Sequence, residues 1–112
     1  MKKIEAIIRP EKLEELREAL DAKGYSGMTV TEVKGRGAQK GILLEWRVGE
    51  YRVEFLPKIK LEMVVEEKVV KEIIGIIKSI CSTGNIGDGK IFISTIDEVI
   101  KLRTGENGVK AI

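Results

Sequence analysis

The chain has 112 residues, 43% of them hydrophobic and 34% charged, and 20 basic against 18 acidic side chains leave a formal net charge of +2. Such a chain is one ordinary globular domain able to bury its own core, and its charge balance argues against a general nucleic-acid binder. With no histidine and one cysteine, Cys81, serine triads, most zinc sites and an internal disulfide are excluded; a cytoplasmic, reducing setting is expected, with no signal peptide and no membrane-inserted segment.

Residues 2–9 alternate, Ile4, Ala6 and Ile8 against Lys3 and Glu5, which predicts a strand. Pro10 is a good first helical residue, since its missing N–H would be unpaired there anyway. Leu13, Leu16 and Leu20 then recur at helical spacing until Gly24 ends the helix. Residues 28–34 are β-rich, and the glycines at 35, 37 and 41 break that strand. The stretch 37–57 reads as a long, polar, irregular loop, of a length that in compact domains is usually functional.

From 58 to 65, Ile59, Leu61, Met63 and Val65 alternate with Lys58, Lys60 and Glu62 as a half-buried strand. Residues 66–81 predict a second helix burying Val69, Val70, Ile73, Ile74, Ile77 and Ile80, with Cys81 as a packing residue. Ile91–Ile93 begin a fourth strand, and Val99–Arg103 reads as a short fifth. The order predicts an α+β fold, a ferredoxin-like βαββαβ sandwich with a long loop after the second strand. Its helices cover one sheet face, so an apolar opposite face would need a partner, and an oligomer is expected.

The segment Thr83-Gly84-Asn85-Ile86-Gly87-Asp88-Gly89-Lys90 is where chemistry concentrates. Glycines let a backbone approach a ligand and turn several N–H groups towards an anion, and Lys90 adds a full charge. Gly84 to Lys90 spells G-x-x-x-x-G-K, but Ile91 stands where a P-loop needs Ser or Thr, and a helix precedes where a strand should. The P-loop reading fails on both counts. Two readings stay open on these residues alone: an anion-binding loop, or a plain turn with Gly84 capping the helix.

Longer stretches carry a resemblance: Lys3–Ile8, Gly27–Gly35, Gln39–Gly41, Phe55–Lys58, Thr83–Phe92 and Arg103–Glu106. Over its full length the chain resembles the PII nitrogen-signalling proteins. The resemblance implies a homotrimer with sheets facing inward and nucleotide sites in the clefts between subunits. ATP and ADP compete there, and 2-oxoglutarate binds together with Mg²⁺-ATP. It makes 37–57 the T-loop, 82–90 the B-loop and 102–109 the C-loop. It implies that Gly87, Asp88, Gly89 and Lys90 cradle phosphates, and that Arg103 reaches them from the neighbouring subunit. Thr29 and Val64 would line the adenine pocket, with Ile7, Gly35 and Gly37 also at the nucleotide. Gln39 would hold Mg²⁺ and 2-oxoglutarate together, with Lys40, Gly41, Lys58 and Gly87 at the 2-oxoglutarate. Two positions depart from many relatives, which have arginine where this chain has Ala38 and Lys101; Ala38 keeps only a backbone contact, and Lys101 keeps the charge without the bidentate fork.

Trp46, Arg47 and Tyr51 lie in the long loop and are expected to touch partners. Tyr51 stands where enteric relatives are uridylylated, which would need a uridylyltransferase; its other reading is an unmodified contact residue. The resemblance implies as partners an ammonium channel, which would recruit the protein to the membrane, and nitrogen-metabolism enzymes and regulators. It implies a regulator and not an enzyme. The competing readings are a slow nucleotide hydrolase and a ferredoxin-fold trimer of the cation-tolerance type.

Overall fold

A computed structural model of the chain describes residues 1–37, 43–46, 49–52 and 55–112, with backbone pairing alone for 43–46 and 49–52. Among the described residues six strands and two α-helices follow one another as β1 (Lys2–Ile8), α1 (Leu13–Ala22), β2 (Thr29–Gly35), β3 (Leu43–Trp46), β4 (Gly49–Arg52), β5 (Leu56–Val65), α2 (Val70–Cys81) and β6 (Lys90–Thr95). A single 3-10 turn, Pro10–Lys12 or Glu67–Val69, leads into each helix. The main sheet runs β2-β5-β1-β6 and every neighbouring pair is antiparallel. This is the ferredoxin-like arrangement expected from the element order.

The core lies between this sheet and the helices. Ile4, Ala6 and Ile8 of β1 and Ile59, Leu61, Met63 and Val65 of β5 are buried against Leu16 and Leu20 of α1 and Ile73, Ile77 and Cys81 of α2. Each sealed Leu or Ile contributes about 1.5–3 kcal/mol of burial. With so few aromatics, the aliphatic residues carry the fold. Val69, Val70, Ile74 and Ile80, predicted on the buried side of α2, are only half-buried there. Gly24, at φ +85, ends α1: its amide bonds Asp21 O, and that of Tyr25 bonds Leu20 O. These paired bonds cap the last carbonyls of the helix.

Two expectations need correction. Residues 37–57 are not irregular throughout, because β3 and β4 pair as a separate two-stranded sheet, Leu43 opposite Arg52 and Trp46 opposite Gly49. Trp46 and Tyr51 are residues that favour strands. Val99–Arg103 is not a strand: it makes only the Ile100–Asn107 bridge. There the Thr104 hydroxyl takes the Glu106 amide, and Gly105 turns at φ +72, so the chain reverses before a ladder can extend.

β5 also starts two residues earlier than periodicity suggests, through Pro57. A proline removes a ladder donor, but β1 has already ended there. Its last pair with β5 is Ile8–Ile59, so Pro57 faces β2 only. The face away from the helices carries a charge network at its centre. Lys3 lies 3.2 Å from Glu62, and Lys60 lies 3.3 Å from Glu62 and 3.7 Å from Glu5. Apolar residues flank it, Ile7 towards one end of the sheet, Phe92 beside Glu5 and Val64 beside Lys3. Among the described residues no helix is long and apolar enough to cross a membrane.

Candidate functional site

At the end of the sheet where β1 stops, the 83–90 loop folds over the strand ends. α2 releases the chain at Ser82, whose extended backbone (φ −78, ψ 126) leads out of the helix. Gly84, Gly87 and Gly89 follow at φ +84, +101 and +101, a region that side-chain-bearing residues avoid. Gly89 has a second reason to be glycine. A Cβ there would lie 1.7 Å from the backbone oxygen of Ile7. The loop therefore sits directly on β1.

The carboxylate of Asp88 holds the loop's shape. It accepts the amides of Thr83 at 2.7 Å and Gly84 at 2.9 Å, the Thr83 hydroxyl, and the Nε–H of Arg9 at 3.2 Å. Those donors, the Thr83 hydroxyl first, hold its pKa well below the usual carboxylate range. So the Asp88 side chain is turned into its own loop. The Gly87 amide, by contrast, donates to no acceptor among the described residues.

Two cations grip successive carbonyls from the other side. Arg9 Nη2 donates to Ile86 O at 2.8 Å, and Lys58 Nζ donates to Gly87 O at 2.7 Å. Burial pushes the Lys58 pKa down and the neighbouring Arg9 charge lowers it further, against smaller opposing effects of Glu11 and Asp88. An open cavity of about 380 Å³ lies beside this arrangement. Its walls include Ile7, Gly35, Gly37, Lys58, the loop 85–90 and Phe92. Preorganised amides and cations around one open volume can receive a polyanion.

The remaining predicted residues gather elsewhere. Thr29 and Val64 line a second cavity, of about 580 Å³, with Lys3, Met28, Val99 and Ile112. Val64 stands six positions along β5 from Lys58, about 20 Å at strand rise. Lys101 and Arg103 follow Val99 on the turn closed by the Ile100–Asn107 bridge. Among the described residues the chain thus carries two separate clusters, one of loop residues and cations, the other pairing a cavity with a basic turn. Ala38, Gln39, Lys40, Gly41 and Arg47 lie outside the described residues, as do the side chains of Trp46 and Tyr51.

The sequence matches the profile of the family described as nitrogen regulatory protein P-II over residues 1–106. The chain belongs to the P-II nitrogen regulatory protein family. It is 56% identical over 112 residues to nitrogen regulatory protein P-II 2 of Methanothermobacter thermautotrophicus, covering 100% of this chain and 97% of that one. It is 54% identical over 112 residues to the P-II proteins of Bradyrhizobium diazoefficiens and Azospirillum brasilense, covering 100% of both partners in each comparison. General nitrogen regulation is thereby its role.

Sequence reasoning did not mark Arg9, nor the cavity-lining Leu56 and Phe92. Arg9 touches the loop at two points, yet no motif marks it. Strand alternation did contain the signal. Ile8 faces the helices, so Arg9 emerges on the Ile7 side, and Pro10 holds it extended at φ −66, ψ 138.

Proposed function

We propose that the chain is a non-enzymatic sensor that binds ATP and ADP in competition, together with 2-oxoglutarate and Mg²⁺ on the ATP side, and controls partners through segment 37–57. The observation that carries the reading is the 83–90 loop, whose positive-φ Gly87 and Gly89, with Lys58 and Lys90, border the open cavity. A hydrogen bond to a charged group contributes about 1.5–3 kcal/mol. Several together reach the ~8 kcal/mol of micromolar binding.

The two clusters support assembly. A second copy would bring its Thr29, Val64, Lys101 and Arg103 to the loop of the first, and three copies would close the ring. Phe92 is 50% exposed and Leu102 is 99% exposed, apolar surface of the kind that marks an interface. Gln39 would offer Mg²⁺ an amide oxygen, a ligand type that ion prefers. Lys58 would take a 2-oxoglutarate carboxylate, with Lys40, Gly41 and Gly87 beside it. Trp46, Arg47 and Tyr51 would meet partners such as an ammonium channel or nitrogen-assimilation enzymes, from the cytoplasm. The relatives carry the names of regulators, which supports a role without turnover.

Calorimetry with ATP, ADP and 2-oxoglutarate, with and without Mg²⁺, tests the reading. Wild-type protein should bind ADP alone and 2-oxoglutarate only with Mg²⁺-ATP. Lys58→Met should lose 2-oxoglutarate, while ADP weakens only a few-fold because Gly87 O loses its donor. Unchanged 2-oxoglutarate affinity in Lys58→Met, or rapid saturable ATP hydrolysis by pure wild type, would overturn the proposal.

A further inference from the structure

We infer that Arg9 is the positioning residue of the nucleotide loop: it sets the affinity for the phosphate chain without touching it, acting through Asp88 and the Ile86 carbonyl. The inference rests on the nucleotide reading above and extends it to a residue outside the glycine-rich motif.

The geometry is specific. Arg9 sits where β1 ends, with its side chain 19% exposed. Its Nε donates to Asp88 Oδ1 and its Nη2 to Ile86 O, so one guanidinium spans both sides of Gly87. Asp88 in turn fixes the Thr83 and Gly84 amides at the start of the loop. Arg9 therefore pins the loop to the first strand, and through Asp88 the pin reaches the loop's entry from α2. Three positive-φ glycines leave this loop many alternative backbone paths in the absence of such a pin. Where only a fraction of molecules holds the binding shape, apparent affinity falls by that fraction.

A lysine is a poor substitute. It carries the same charge on a single ammonium, whereas the planar fork of Arg9 serves two acceptors whose directions differ. Arg9 makes its contacts at the loop's carboxylate and carbonyl oxygens, which an incoming phosphate repels. A nucleotide would take the amides and lysines instead.

The test measures ADP and ATP binding to purified wild type, Arg9→Met, Arg9→Lys, Asp88→Asn and the Arg9→Met/Asp88→Asn double variant, with thermal midpoints of each at one protein concentration. Arg9→Met should weaken ADP and ATP equally, by about tenfold. Arg9→Lys should recover part of that loss, and the double variant should lose less than the product of the two single losses, since Arg9 acts in part through Asp88 and coupled residues are not additive. Wild-type affinity in Arg9→Met overturns the inference. So does a multiplicative loss in the double variant, and so does a loss markedly greater for ATP than for ADP, which would mean direct phosphate contact. An affinity loss only in proportion to a collapsed melting point, without rescue by lysine, would reduce Arg9 to fold maintenance and also overturn it. If wild type binds neither nucleotide, the underlying functional reading fails, an outcome distinct from a binding wild type with an indifferent Arg9.

Discussion

Replacing Gly89 with alanine tests how the loop is seated. An ideal Cβ would stand 1.7 Å from Ile7 O and 2.8 Å from the Ile7 carbonyl carbon, whereas real Cβ atoms essentially never come within 3.0 Å of a neighbour, so the gap must open by about 1.3 Å (3.0 less 1.7). The φ of +101 adds a conformational cost of about 1–2 kcal/mol for a residue with a Cβ. The backbone shift that relieves the overlap adds about 1–3 kcal/mol. The sum is about 2–5 kcal/mol. Ile7 cannot yield easily, because it is paired with Lys60 on one side and Lys90 on the other. The loop is the part that moves. Gly89→Ala should therefore lose at least about tenfold in ADP affinity, with a stability loss near the lower end of that range. Two internal controls separate the causes. Gly84→Ala has φ +84 but no neighbour within 4 Å, so only the conformational cost applies. Gly75→Ala, in α2 with open space around it, should stabilise by about 0.5–1 kcal/mol. Urea unfolding followed by circular dichroism, at fixed protein concentration, ranks the three, and calorimetry gives the ADP affinities. A Gly89→Ala protein indistinguishable from Gly84→Ala in both measurements would refute the close-approach argument.

Two further predictions concern ionisation. The Asp88 pKa is depressed in the folded chain, so its stabilising contribution is complete above the usual carboxylate range and is lost as pH falls through the lowered value. Thermal melts of wild type and Asp88→Asn should therefore differ at pH 7 and converge in strong acid; a constant gap would contradict the assignment. Burial pushes the Cys81 thiol up to about 11, so at pH 8 it should resist a disulfide reagent until the protein is unfolded in urea. Stoichiometric labelling of the native protein within seconds would show that the α2 packing is wrong.

Much of the architecture follows from periodicity. Ile4, Ala6 and Ile8, and Ile59 to Val65 at every second position, have one viable partner face, and the helices supply it through Leu16, Leu20, Ile73 and Ile77. A slip of one residue would turn each strand's apolar set to the other face. Where the pattern is weak, reading by periodicity failed. Val99–Arg103 has strand-like residues but no neighbouring chain length to pair with before Gly105 turns it back. Within 37–57, polar residues masked the short runs that pair as β3 and β4.

The 83–90 loop shows the same division. Its glycines, Asp88 and Lys90 suggest an anion site by residue type, since glycine's access to positive φ and the charge of a lysine are local properties. What each residue does there was decided by contacts distant in sequence. Asp88 faces Arg9, 79 positions away, and Lys58 reaches Gly87 from 29 positions away. Only folding brings β1, β5 and the loop to one sheet end, and only folding sends Thr29 and Val64 to the other. The sequence by itself determined where the glycines, the carboxylate and the lysines lie along the chain; the tertiary structure decided which of them meet, because strand length sets Val64, which shares a cavity with Thr29, about 20 Å from Lys58, which shares one with the loop.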